Sequence, residues 1–136
     1  MVELYMSPKE ELTSQFLMRA NDDLQLSEMI LHEAEPIFWA AAFHAQQCAE
    51  KAIKALLTFY EIRAGKTHDI EKLLKLSLPV LNNLGKFKQQ AGMLTAYAVD
   101  SRYPGPYGDI TKKQAVEAIE IARNIFELIL KALPDF

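Results

Sequence analysis

The groups with chemistry to offer in this chain are three histidines, a single cysteine, a set of polar residues at helical spacing, and a loop dense in polar and aromatic side chains. Gln47, Glu50, Lys51 and Lys54 recur at intervals of three and four, so on a helix they form one polar stripe. Two lysines one turn apart could make a phosphate track. The plainer reading is a solvated face on which Glu50 and Lys54 form an i,i+4 pair worth roughly 0.2–0.5 kcal/mol. His68 is a candidate proton carrier, or else a turn residue bonded to backbone. His44 and Cys48 lie four apart and would suit a metal or a thiolate pair, although a buried small-residue face explains both. His32 has no helical partner and no metal spacing. In the loop, the planar fork of Arg102 can grip two phosphate oxygens, cap the end of a preceding helix, or pair with Asp100 or Asp23. Tyr103 and Tyr107 can stack on bases or fill a packing corner, whereas Tyr97 reads first as packing. The chain contains no Walker loop, no dinucleotide glycine fingerprint and no paired Cys or His motif, so neither a cofactor nor a metal is expected.

These residues must be positioned by helices. Ser7, Pro8 and Glu10 make a capping box with proline at the first helical position, which predicts a helix running to about His32. Its apolar residues Phe16, Leu17, Ala20, Leu24 and Leu31 mark one stripe. Pro36 separates it from a second helix over about Ile37 to Ile62, which is rich in alanine and holds neither glycine nor proline. Ala41, Ala45, Cys48, Ala52, Ala55 and Phe59 give that helix a small-residue face for close packing, with the polar stripe opposite. Gly65 is expected to close it, and Thr67 or Asp69 to cap a short third helix through Glu71, Leu73, Leu74 and Leu76. A fourth helix should cover about Phe87 to Val99. Asp100 to Gly108 contains two prolines and two glycines and cannot continue it. Thr111 with Gln114 forms a second capping box, and Ala118, Ile119, Ala122, Ile125, Phe126, Ile129 and Leu133 trace the buried stripe of a last, long helix. With no strand alternation and no repeat, the expected fold is all-α: an up-and-down antiparallel bundle of about five helices.

The bulk numbers agree with one domain over 1–136: 136 residues, half of them apolar, can bury a core without disulfides. Fifteen basic against eighteen acidic residues give a net charge of -3, which excludes a protein that coats nucleic acid by bulk electrostatics and confines any phosphate site to a local patch. The lone cysteine fits a reducing compartment. No leader pattern opens the sequence and no apolar run nears the roughly 20 residues needed to span a bilayer, so a cytoplasmic protein with no membrane association is expected.

Four segments in order, Asp23-Leu24, Gln46 through Leu56, His68-Asp69-Ile70 and Ser101-Arg102-Tyr103-Pro104, resemble the HEPN family, and together they span most of the chain. The resemblance implies a homodimer with a polar cleft lined by the loop arginine of both subunits. It also implies binding of nucleotides or single-stranded RNA through Gln47, Lys51, Lys54, Asp100, Arg102 and Tyr103, and in active members metal-independent RNA cleavage. Some relatives are toxins neutralised by a small nucleotidyltransferase partner protein; others only bind.

Cleaving RNA without metal requires a base for the 2′-hydroxyl, an acid for the leaving oxygen and cations for the developing charge. Arg102 suits the last role. The family's catalytic histidine stands four to six residues past that arginine, where this chain has Pro106, Tyr107 and Gly108. Tyr107 occupies the spacing, but a phenol donates a proton near neutral pH far more readily than it takes one. His68 is the remaining base candidate. Two readings stay open: a toxin-type ribonuclease with a degraded catalytic motif (Arg102, Tyr107, His68), and a non-catalytic dimeric binding or interaction module.

Overall fold

A computed structural model describes residues 6–99 and 109–135. The helices are α1 (Pro8–Leu31), α2 (Phe38–Phe59), α3 (Ile70–Ser77), α4 (Lys88–Val99) and α5 (Lys112–Ala132), with a 3₁₀ turn at Asn82–Phe87 before α4. The described residues contain no strand. The architecture is the all-α, up-and-down bundle that the patterning predicts.

Local signals set the helix starts. Ser7 Oγ accepts from the Glu10 amide while the Glu10 carboxylate accepts from the Ser7 amide, and Thr111 and Gln114 repeat the arrangement at α5. The Ser7 contacts hold the Glu10 carboxyl below its ordinary range. Asp69, not Thr67, caps α3 by accepting from the Glu71 and Lys72 amides, while Thr67 accepts from the Asp69 amide.

α2 occupies the centre and packs against each of the other four helices. Ala41, Ala42, Ala45, Cys48, Ala49 and Ala52 are fully enclosed, so the small-residue face admits α1 and α5 at close range. α5 buries the expected stripe from Ala118 to Leu133 against it. α1 departs from its expected stripe. Ala20 and Leu24 are buried, but so are Thr13, Asp23 and Ser27, whereas Phe16, Leu17 and Leu31 stay partly exposed. The two hydroxyls are satisfied by back-bonding to the carbonyls of Lys9 and Leu24, which leaves Asp23 to find partners off the helix.

α2 ends earlier than Gly65 suggests. After Phe59 the Ile62 amide donates to the Leu57 carbonyl at 2.8 Å and the Glu61 amide to Thr58 at 3.1 Å, a Schellman closure with Glu61 at φ 56° in the place glycine usually takes. Gly65, at φ 70°, shapes the loop beyond. That loop leads into α3, whose first amide, Ile70, donates to Thr95 Oγ1 of α4 at 2.9 Å. The residues just before α3, His68 among them, are thereby tied to the bundle.

Candidate functional site

Two carboxylates organise the polar groups. Asp23 on α1 is 8% exposed and faces α2, where it accepts from Lys51 Nζ at 2.5 Å and from His44 Nδ1 at 2.9 Å. His44 and Lys51 are seven apart on α2, so they straddle one acidic group from the neighbouring helix. Glu50, 3% exposed, takes the second role: it accepts from Lys54 Nζ at 3.2 Å and meets His68 Nδ1 at 3.1 and 3.2 Å through its two oxygens. The fully buried Gln46 amide reaches toward Glu50 Oε1 (3.4 Å) and the His68 carbonyl (3.5 Å), and the Gln47 amide donates to Gln46 Oε1 at 2.7 Å. Each acid thus holds one lysine and one imidazole.

The partners fix the imidazole tautomers. An ionised carboxylate can only accept, so in both histidines Nδ1 carries the proton and Nε2 is the acceptor while the ring is neutral. The His68 side chain is 73% exposed, and its Nε2 has no partner among the described residues. Its geometry is that of an imidazole oriented from behind by a carboxylate, the arrangement that serves general-base chemistry. His44 is more enclosed and stacks edge-on with Phe43.

The polar stripe of α2 is therefore neither solvated nor single. Lys51 turns toward α1, while Glu50 and Lys54 turn toward the segment preceding α3. Their side chains are only 27% (Lys51) and 17% (Lys54) exposed, and each is compensated by a carboxylate. His44 and Cys48 do not act together. His44 serves Asp23, and burial, followed by the Asp23 charge, pushes the Cys48 thiol up to about 12, which removes its nucleophilic form. His32 ends α1 with Nδ1 on the Glu28 carbonyl at 2.7 Å, and Glu28 in turn pairs with Arg123 of α5. Burial and Glu117 raise the Tyr97 phenol, in keeping with a packing role. No cluster of three metal-ligating side chains occurs among the described residues. Asp100, Arg102, Tyr103 and Tyr107 lie outside the described residues, and so does the distance from His68 to Arg102.

Sequence reasoning placed Lys51, Lys54, Gln47 and His68 in one site, and the structure brings Lys54 and His68 onto one carboxylate. It did not assign Asp23 and Gln46 their organising roles. The available signal was positional: Asp23 falls on the Ala20–Leu24–Ser27 face of α1, and an acid on a buried stripe requires a partner across the interface.

An antiparallel helical bundle whose central helix α2 carries acid-anchored lysines and imidazoles, one group facing α1 and the other the segment before α3, is the class that fold and site define. The HEPN domain family matches residues 13–133, and the chain belongs to that family. A Methanocaldococcus jannaschii protein named "Putative toxin MJ1304" is 27% identical over 134 residues, covering 88% of this chain and 87% of its own. The crystal structure of TT1696 from Thermus thermophilus superposes with a TM-score of 0.78 at 28% identity, over 89% of this chain and 98% of that one. ST0689, an archaeal HEPN homologue, superposes with a TM-score of 0.70 at 29% identity, over 88% and 95% respectively. No described helix is long and apolar enough to cross a membrane.

Proposed function

We propose that this HEPN protein is a cytoplasmic homodimer that binds nucleotides or short single-stranded RNA along Lys51, Gln47, Lys54 and His68, with Asp100, Arg102 and Tyr103 of the following loop completing the site. The observation that carries the reading is the Glu50–His68–Lys54 group. A buried acid presents an exposed, oriented imidazole with a largely enclosed ammonium beside it, which is suited to a phosphodiester and its 2′-hydroxyl. The relative named as a toxin supports a toxin-type role, and the family resemblance, not that relative, suggests a small nucleotidyltransferase as the neutralising partner.

In this reading His68 is the base, Arg102 stabilises charge on the phosphorus-bound oxygens, and Tyr107 is at most the acid. Compensation of both lysines by carboxylates keeps affinity low and the salt dependence shallow. Cleavage is absent or very slow, because the histidine that general acid-base catalysis would use after Arg102 is replaced. The non-catalytic reading, a binding or interaction module, draws on that same replacement.

The test is cleavage of single-stranded RNA in the presence of chelator. Tyr107→His should raise the rate above the parent's and Arg102→Ala in that background should abolish the gain. A brisk parent activity that persists in Arg102→Ala but disappears in His68→Ala would move the chemistry off the loop.

A further inference from the structure

Leading up to Asp23, α1 carries Leu12, Phe16 and Arg19, with spacings of four, three and four along the series, so these residues rise along one face of the helix. Phe16 is only partly buried and lines two adjoining surface depressions. The first is bounded by Leu12, Gln15, Arg19 and Lys51. The second lies against the end of α2 and the loop beyond it, and has Lys54 on its wall. One aromatic ring therefore separates two hollows, each with a cation at its edge.

The cations differ. Lys51 and Lys54 are held by Asp23 and Glu50, but Arg19 is exposed and forms no ion pair among the described residues. A guanidinium without an acid partner has the highest free capacity for a phosphate, and its fork can take two oxygens. Lys51 and Lys54 are three residues apart on α2, about 4.5 Å along the axis, and are drawn to different carboxylates. They thus flank the Phe16 ring instead of converging on one point. Leu12 gives the first hollow an apolar wall, and Gln15 adds an amide able to meet the edge of a base.

We propose that Phe16 is a base-stacking platform and Arg19 the principal phosphate-binding cation of this site, and that the tract they form with Lys51 and Lys54 takes a single-stranded RNA segment of at least two nucleotides in preference to a mononucleotide. Alternation of an aromatic face with cations is how sequence-tolerant single-strand binders gain affinity, since every base has a π-face and every step a phosphate. The inference rests on the nucleotide-binding reading above and extends it to α1.

Fluorescence anisotropy of 5′-fluorescein-labelled hexauridylate, titrated with the full chain at several salt concentrations, tests it. Phe16→Leu keeps an apolar side chain of similar reach and should weaken binding at least about fivefold, whereas Phe16→Trp should restore it. Arg19→Ala should weaken binding and lower the salt slope by about 0.7, the contribution of one single-strand phosphate. Unlabelled uridine monophosphate should compete far less well than uridylyl-uridine. Thermal melts confirm that each variant is folded. If the parent binds while Phe16→Leu and Arg19→Ala match it and only Lys51→Ala loses affinity, the platform is refuted and the nucleotide-binding reading stands. Equal competition by monophosphate and dinucleotide refutes the two-nucleotide tract. No binding by the parent refutes both.

Discussion

Asp23 and Glu50 make the same kind of group, one acid with one lysine and one imidazole, yet the two groups do different work. Asp23 reaches from α1 to two residues of α2, so its contacts fasten one helix to the next. Glu50 binds its own helix neighbour Lys54 and a histidine on the connection before α3, so it holds a side chain out to solvent rather than a helix in place. The same chemistry is architectural where its partners share an interface and presentational where one partner is exposed. Breaking a pair by removing its buried acid should therefore cost far more than removing the exposed base.

The largest effect is expected from Glu50→Ala, which strands Lys54 and the buried Gln46 amide. Urea denaturation should show a loss of about 3 kcal/mol, the cost of leaving a buried polar partner uncompensated. Asp23→Ala should cost less, about 2 kcal/mol, because Lys51 and His44 are partly exposed and recover solvation. Removal of the bases should separate the groups. His44→Ala should lose about 1 kcal/mol of stability, while His68→Ala should change it by no more than about 0.5 kcal/mol, as for an exposed position, and register only in RNA binding or cleavage. Equal stability losses for the two histidines would abolish the distinction.

Cys48 sharpens the comparison by reporting on the interior beside Asp23. Its thiol is pushed up in the fold from a reference value of 9.0 to about 12. Between those values the unfolded chain has released the proton and the folded one has kept it. Stability should therefore fall as pH rises above 9, by up to about 1.4 kcal/mol per pH unit from this group alone. Cys48→Ala should flatten the alkaline limb of a stability-against-pH curve, and the native thiol should resist iodoacetamide at pH 8.

The smallest effect concerns neither acid. Glu61 holds a left-handed backbone at the end of α2, which costs a non-glycine residue roughly 1–2 kcal/mol. Part of that is offset by the entropy that glycine loses on folding, so Glu61→Gly should stabilise by about 0.5 kcal/mol in thermal melts.

Much of this bundle was legible in the sequence because its signals are local. The Ser7 and Thr111 capping boxes, the alanine face of α2 and the α5 stripe each depend on residues within a turn or two. The closure of α2 was less legible, because Glu61 occupies a position that glycine ordinarily announces. The site was legible in its residue types and not in its connections. Lys51 and Lys54 look like neighbours on one stripe, and only the approach of α1 on one side and the His68 segment on the other sends them to different acids. Asp23, 28 residues from Lys51, could be linked to it only through the packing of α1 on α2.

The central claim is that Glu50 holds His68 out as part of the RNA-binding surface, while the Asp23 group fastens α1 to α2 beside it. With only three histidines in the chain, imidazole ring resonances followed by NMR during titration with uridylyl-uridine test it most directly. His68 should shift most, His44 less, and His32, the C-cap of α1 bonded to the Glu28 carbonyl and part of neither acid-anchored group, not at all. A shift confined to His32, or rings unmoved at millimolar dinucleotide, would contradict the account.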